Sequence, residues 1–220
     1  MAGLWPSILT IRTPGEPDRV MRALRTRDRA EWEHLRIRNR TWLSPWEATN
    51  PDHLGHVKFR HLVRRYDTEG QAGRMQPFVI EVGGRLVGQM HLFNIAWGSL
   101  RSGSAGYWVS QDMAGRGVAP ACLAALVDHA FYGLGLHRVE VDIRPENTPS
   151  LRVVEKLGFR EEGVRRRLLH IDGAWRDHRS FALTTEDLAG GSLVAAWNAT
   201  RRETPPTPPT PPTSEAARGA

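Results

Sequence analysis

The residues with the clearest capacity for chemistry lie between Tyr107 and Ala119, in the run YWVSQDMAGRGVA. This run passes from a strand-like stretch through Gly115 and Gly117 into an apolar segment. The two glycines permit a tight turn and keep side chains off the path of a ligand. Pro120 follows in the first helical turn, where a missing N–H costs nothing. Leu123, Leu126, Val127, Ala130, Phe131 and Leu134 then recur at helical spacing. A helix mouth of this kind presents free amides to an anion, and a pyrophosphate fits it. A Gly-rich helix entry of purely structural use has the same signature, so the motif alone leaves both open. No Gly-Lys-Ser/Thr follows, which excludes a Walker loop, and the spacing is not that of a dinucleotide fingerprint.

A second block runs from Arg144 to Phe159, RPENTPSLRVVEKLGF. Thr148 is placed to cap a helix, Pro149 to take its first position and Gly158 to end it. Ser150 is either a proton donor or a first-turn serine that satisfies a helix amide. Glu140 and Asp142 share one strand face, as a water-chain pair or as paired surface charges. Asp177 and His178 are strand neighbours that point to opposite faces, so no acid–base dyad is expected. His91 is expected to be a packed strand histidine and Cys122 a small helix-packing residue. No His, Asp and Glu cluster has metal-ligand spacing, so no metal is expected. Nothing pairs aromatic and basic residues in a nucleic-acid pattern.

Several elements must position these blocks. Asp28 and Glu31 have capping-box spacing, and the helix they open ends before Ser44 and Pro45. His53 to Tyr66 suggests a second helix. Phe78–Val82 and Arg85–Leu92 flank Gly83-Gly84, and Arg166–Ile171 and Trp175–Leu183 flank Asp172-Gly173, two hairpins with two-residue turns. Between them lie a strand from Ala105 to Ser110, a long helix, a strand from Arg138 to Ile143 and a short helix. This order predicts an α+β fold with a mixed sheet. Residues 1–17, with Pro6, Pro14, Gly15 and Pro17, read as an extended lead-in, and 18–190 as the domain. The Pro/Thr run 204–213 has no apolar residue to bury, so 198–220 is expected to be a disordered tail.

The 220-residue chain is long enough for one domain with a substantial core. Its net charge of +6 is carried almost entirely by arginine, since Lys58 and Lys156 are the only lysines. Such a charge suits phosphorylated cofactors, acidic peptides or a ribosome surface, or it reflects arginine-rich composition alone. A single cysteine excludes an internal disulfide and a CxxC metal site. No apolar run approaches the ~20 residues that cross a membrane, and the N-terminus lacks a signal-peptide pattern. A cytoplasmic location without membrane partners is the expectation.

Gly115 to Ala119, followed by Pro145-Glu146-Asn147, Ser150 and Glu155 to Phe159, resembles the two cofactor blocks of GNAT acetyltransferases. Asn39 to Glu47 and Leu169 to Asp187 are similar to the RimJ-type ribosomal-protein alanine N-acetyltransferases, and together the likeness spans about residues 20 to 188. The resemblance implies the GNAT fold, a mixed central sheet flanked by helices, with acetyl-CoA as co-substrate. Gly115, Arg116, Gly117, Val118 and Ala119 would line the pyrophosphate site, the last four through their amides. Trp108 and Val109 would pair with the pantetheine arm, and the Val109 amide would polarise the thioester carbonyl. Asn147 would hold the pantetheine or attacking-amine region, and Ser150 would be the general acid. Trp42, Trp46 and Glu47 would line a peptide cleft, unless the tryptophans are core aromatics.

Four positions depart from the family pattern: Ala114 for a usual Arg or Gln, Val154 for a tyrosine, and Ser104 and Leu169 for glutamates. No base is therefore assigned. The implied acceptor is a protein N-terminal α-amine. A small-molecule amine is the alternative within the same class, and a non-catalytic acyl-CoA-binding module is the alternative outside it.

Overall fold

The computed structural model describes residues 5–52 and 57–203; the predicted helix start at His53 and the Pro/Thr run 204–213 lie outside these residues. In chain order the elements are β1 (Leu9–Ile11), β2 (Arg19–Ala23), α1 (Arg29–Arg38), α2 (Arg40–Leu43), α3 (Phe59–Gln71), β3 (Gln76–Val82) and β4 (Arg85–Ala96). Then follow β5 (Ser102–Val109), α4 (Val118–Asp128), β6 (Arg138–Ile143), α5 (Thr148–Lys156), β7 (Arg160–Ile171), β8 (Ala174–Thr184) and α6 (Leu193–Glu203). The strands form one mixed sheet in the order β1-β2-β3-β4-β5-β6-β8-β7. Both expected hairpins are present. Gly83 and Gly84 turn β3 into β4, and Asp172 and Gly173 turn β7 into β8, all four at positive φ as such turns require.

Period-two burial divides the core between the two faces of the sheet. Phe78 and Ile80 of β3 join the larger cluster, built around α4, α5 and α6. Val79, between them, joins the smaller cluster with Trp32, Leu35, Val63 and Tyr66 of α1 and α3. The sheet is thus sandwiched between helices, and α4 is buried along almost its whole length.

The boundaries extend further than expected at both ends. In the expected lead-in, β1 pairs with β2 and buries Ile11 to 1% exposure. At the other end, α6 runs through Asn198, where a disordered tail was expected to begin. Leu193 and Trp197 are buried against α4, and the Asn198 side chain donates to the Arg12 carbonyl. The apolar residues of α6 form one unbroken run, Leu193 to Trp197, too short to reveal a period.

The first helix also starts differently. Asp28 does not cap α1; its carboxylate accepts from the Arg25 amide at 2.8 Å and pairs with buried Arg22, which also holds Glu81. Burial works against the Asp28 charge, but Arg22 and the Arg25 amide outweigh it and hold the carboxyl below its ordinary range. A carboxyl with a depressed folded-state pKa stabilises the fold above its unfolded value, near 4, and loses that contribution as pH falls through the folded value. Asp28→Ala should cost about 2 kcal/mol at pH 7, since Glu81 still pairs with Arg22. It should also flatten the fall of stability below pH 4, and urea melts across that range check both effects.

The fold's main consequence for function lies at the parallel pair. β5 and β6 are in register only at Ser102/Arg138, Gly103/Val139 and Ser104/Glu140. Beyond these pairs the two strands separate, although β5 continues to Val109 and β6 to Ile143.

Candidate functional site

Residues 105–109 of β5 are paired on the β4 side only. The Ser110 amide donates to the Val87 carbonyl at 2.7 Å, which fixes the alternation along this strand. Trp108 and Gly106 therefore turn their main-chain groups to β4, whereas Tyr107 and Val109 turn theirs to the open side. The Val109 carbonyl accepts from Trp42 Nε1 at 3.1 Å, so its N–H is the group left facing the gap. Trp108, expected on this edge, is turned away from it. Its ring packs on Trp32 with centroids 5.7 Å apart, and Arg36 lies over it at 5.3 Å. Tyr107 takes the place that was assigned to Trp108.

The open edge leads to the mouth of α4. The loop between them is pinned by buried Asn39, whose Oδ1 accepts the Gln111 amide at 2.9 Å and whose Nδ2 donates to Ser110 Oγ at 3.0 Å. Gly115 and Gly117 both take positive φ, and a Cβ at Gly115 would meet nothing within 4 Å. The first helical bond runs from the Ala121 amide to the Gly117 carbonyl, leaving the amides of Gly117, Val118 and Ala119 without helical acceptors. A Cβ on Gly117 would stand 2.9 Å from Arg201 Nη1 and 3.4 Å from the Trp197 ring. Arg201 and buried Arg19 both pair with Glu16, and Arg19 also reaches the Arg116 carbonyl at 3.4 Å. Two guanidiniums therefore stand at the mouth, beside Arg116 and Gly117, in a chain whose Ala114 replaces the Arg or Gln of the family pattern.

At the other end of the gap lies a cleft of about 280 Å³, lined in part by Trp46, Tyr107, Asp142, Asn147, Ser150 and His178. Asn147 and Ser150 come together as expected, but Asn147, not Thr148, caps α5, accepting the Ser150 amide at 3.2 Å. Its carboxamide oxygen is thus committed to the cap, and its Nδ2 is the group available to a ligand. The Tyr107 hydroxyl reaches the Ser150 carbonyl at 3.5 Å, and burial pushes its pKa up, so it stays protonated. Ser104 and Leu169, standing for the family's glutamates, line this cleft, whereas Val154 is buried in the core.

The three cleft residues expected for substrate divide. Trp46 lines the cleft, with the Arg144 guanidinium 5.5 Å over its ring. Trp42 covers the end of β5 instead, through its bond to Val109. Glu47 is ion-paired with Arg36 and does not join the lining. Asp142 is held by Ser180 Oγ and by Arg165 at 3.2 Å, and Glu140 by Arg138 at 2.7 Å. Neither carboxylate is free to work as a base. Four residues were missed: Arg19, Tyr107, His178 and Arg201. Only His178 had a local signal, a histidine on a strand, and its neighbour Asp177 does turn elsewhere, accepting the Arg167 amide at 2.8 Å.

A family model described as an acetyltransferase (GNAT) domain matches residues 18–160. Among solved structures, RimJ of Mycobacterium smegmatis in complex with CoA-disulfide superposes with a TM-score of 0.85 at 39% identity, covering 92% of this chain and 98% of that one. The [ribosomal protein uS5]-alanine N-acetyltransferase of Escherichia coli (strain K12) is 28% identical over 179 residues, 78% of this chain and 90% of its own length. The probable N-acetyltransferase YjcK of Bacillus subtilis (strain 168) is 39% identical over 103 residues, so that this chain spans 57% of that relative's length.

Proposed function

The chain belongs to the GNAT acetyltransferase family, and on that premise we propose that it moves acetyl from acetyl-CoA to the α-amine of a protein N-terminus, that of a ribosomal protein, in the cytoplasm. The observation that carries the proposal is the separation of β5 from β6 beyond Ser104/Glu140, with an amide-rich helix mouth at one end and a polar cleft at the other. A pyrophosphate fits the amides of Gly117, Val118 and Ala119, with Arg19 and Arg201 supplying positive charge beside them. A pantetheine arm can pair, as a strand would, with the main chain of Tyr107 and Val109. The Val109 N–H is then placed to polarise the thioester carbonyl. Ser150 is the proton donor to the departing thiolate, and Asn147 Nδ2 orients the reacting groups.

Two facts favour an N-terminal amine as acceptor. Such an amine has a pKa near 8, against about 10.4 for lysine, so roughly a tenth of it is neutral at pH 7. Among the described residues Asp142 is the one carboxylate in the cleft lining, and it is already paired with Arg165, which leaves no acidic wall for a polycationic small molecule. Relatives that carry the RimJ and uS5-alanine names support the same assignment.

Thiol release from acetyl-CoA with Ala-, Ser- and Met-starting peptides and with small amines tests the proposal. Turnover on peptides is expected. Turnover on small amines alone would move the chain to the alternative substrate class, and binding without turnover on any acceptor would make it an acyl-CoA-binding module. Ser150→Ala should lower kcat about 100-fold while leaving the KM for acetyl-CoA nearly unchanged, because the hydroxyl acts after binding. Steady-state kinetics of the variant check this, and an unchanged kcat would remove Ser150 from the chemistry.

A further inference from the structure

We propose that His178 of β8 is the general base that takes the proton from the acceptor amine. The proposal rests on the acetyltransferase function above. His178 is 3% exposed and lies in the cleft wall with Asn147, Ser150 and Tyr107. Its Nδ1 is 3.0 Å from the Arg176 carbonyl, which can only accept, so Nδ1 carries the hydrogen. The neutral ring therefore holds its lone pair on Nε2, which makes no hydrogen bond among the described residues.

Two other histidines, His91 and His129, both only partly buried, show the difference. Their Nε2 atoms also lack partners, but these atoms are covered and neither ring lines the cleft. His178 alone of the three opens on the place where the substrates would meet.

The surrounding charges keep the ring available. On its own strand Arg176 turns its carbonyl to the ring, while Asp177 lies on the opposite face. From β6 and the turn after it come Asp142 and Arg144, and from β7 its register partner Arg165. Burial lowers the imidazole pKa, and the Arg176 carbonyl offsets part of that effect. The ring is thus neutral at pH 7 and able to accept a proton.

The step balances as follows. The acceptor arrives as an ammonium and gives one proton to Nε2. The freed nitrogen lone pair forms the C–N bond to the thioester carbonyl carbon. As the C–S bond breaks, the thiolate takes the second nitrogen proton by way of the Ser150 hydroxyl. The imidazolium then releases its proton to solvent.

His178→Asn keeps a donor for the Arg176 carbonyl and removes the base. It should lower kcat/KM for peptide about 100-fold and abolish the acidic limb of the pH profile, with acetyl-CoA affinity within about twofold of wild type. A rate within about threefold of wild type, or a reduced rate with the acidic limb unchanged, would overturn the proposal. Nitrogen-15 imidazole shifts of the wild-type protein give an answer that needs no variant. A protonated Nδ1 and bare Nε2 are expected, and the reverse tautomer would remove the base. A wild-type protein that acetylates no amine would instead defeat the acetyltransferase function itself, so the two failures are distinct.

Discussion

Gly117→Asp should abolish measurable acetyl-CoA binding, raising the Kd by at least about 100-fold, because it places a carboxylate where the diphosphate must sit. Gly117 has φ +72°, a conformation that aspartate and asparagine tolerate better than other side chains. The atom nearest to a new Cβ is the tip of Arg201, which can shift. Aspartate and asparagine meet the same backbone strain at this φ, so the difference between the two variants comes from charge. Two like charges about 4 Å apart repel by about 4 kcal/mol at an effective dielectric of 20, equivalent to nearly a thousandfold in affinity. Gly117→Asn is the control, since it has almost the same shape without the charge and should lose far less. Calorimetric titration of both variants with acetyl-CoA decides the matter, and equal losses would show that shape, not anion binding, governs the loop.

The second large effect is on stability. Trp197→Ala should cost about 3–5 kcal/mol, because the indole is buried against α4 and its removal leaves a cavity. For a chain of this size that is a fall in Tm of roughly 10 °C. The same ring stands beside Gly117, so the variant should also weaken acetyl-CoA binding by loosening one wall of the helix mouth. Thermal melts with and without acetyl-CoA check both parts. A Tm within about 2 °C of wild type would mean that α6 is an appendage and not part of the domain.

The elements that sequence reveals best are those fixed by neighbours in the chain. Gly83-Gly84 and Asp172-Gly173 announced their hairpins because such turns need positive φ at adjacent residues. The helix after Gly117 was legible from its apolar recurrence, and Asn147 and Ser150 were legible as a pair. What stayed hidden depends on partners distant in sequence. Asp28 had the spacing of a cap, but Arg22 and the Arg25 amide compete for its carboxylate. Trp108 and Tyr107 could not be told apart as edge residues, because only the register against β4 decides which of them faces the gap. His178 was set aside with Asp177 because neighbours on a strand diverge. Its companions come instead from β5, β6 and α5, and irregularities in the β7–β8 register obscure that placement. β1 and α6 are each too short in apolar content to stand out, and both gain their place from the surfaces they cover.

The most direct measurement is the site of acetylation on a peptide. Wild-type protein, acetyl-CoA and a peptide that starts with alanine and contains an internal lysine are incubated, and the product is fragmented by mass spectrometry. One acetyl group is expected, on the N-terminal nitrogen, with one thiol released per product. Acetyl on the lysine side chain alone, or no transfer to any peptide while thiol appears with small amines, would contradict it.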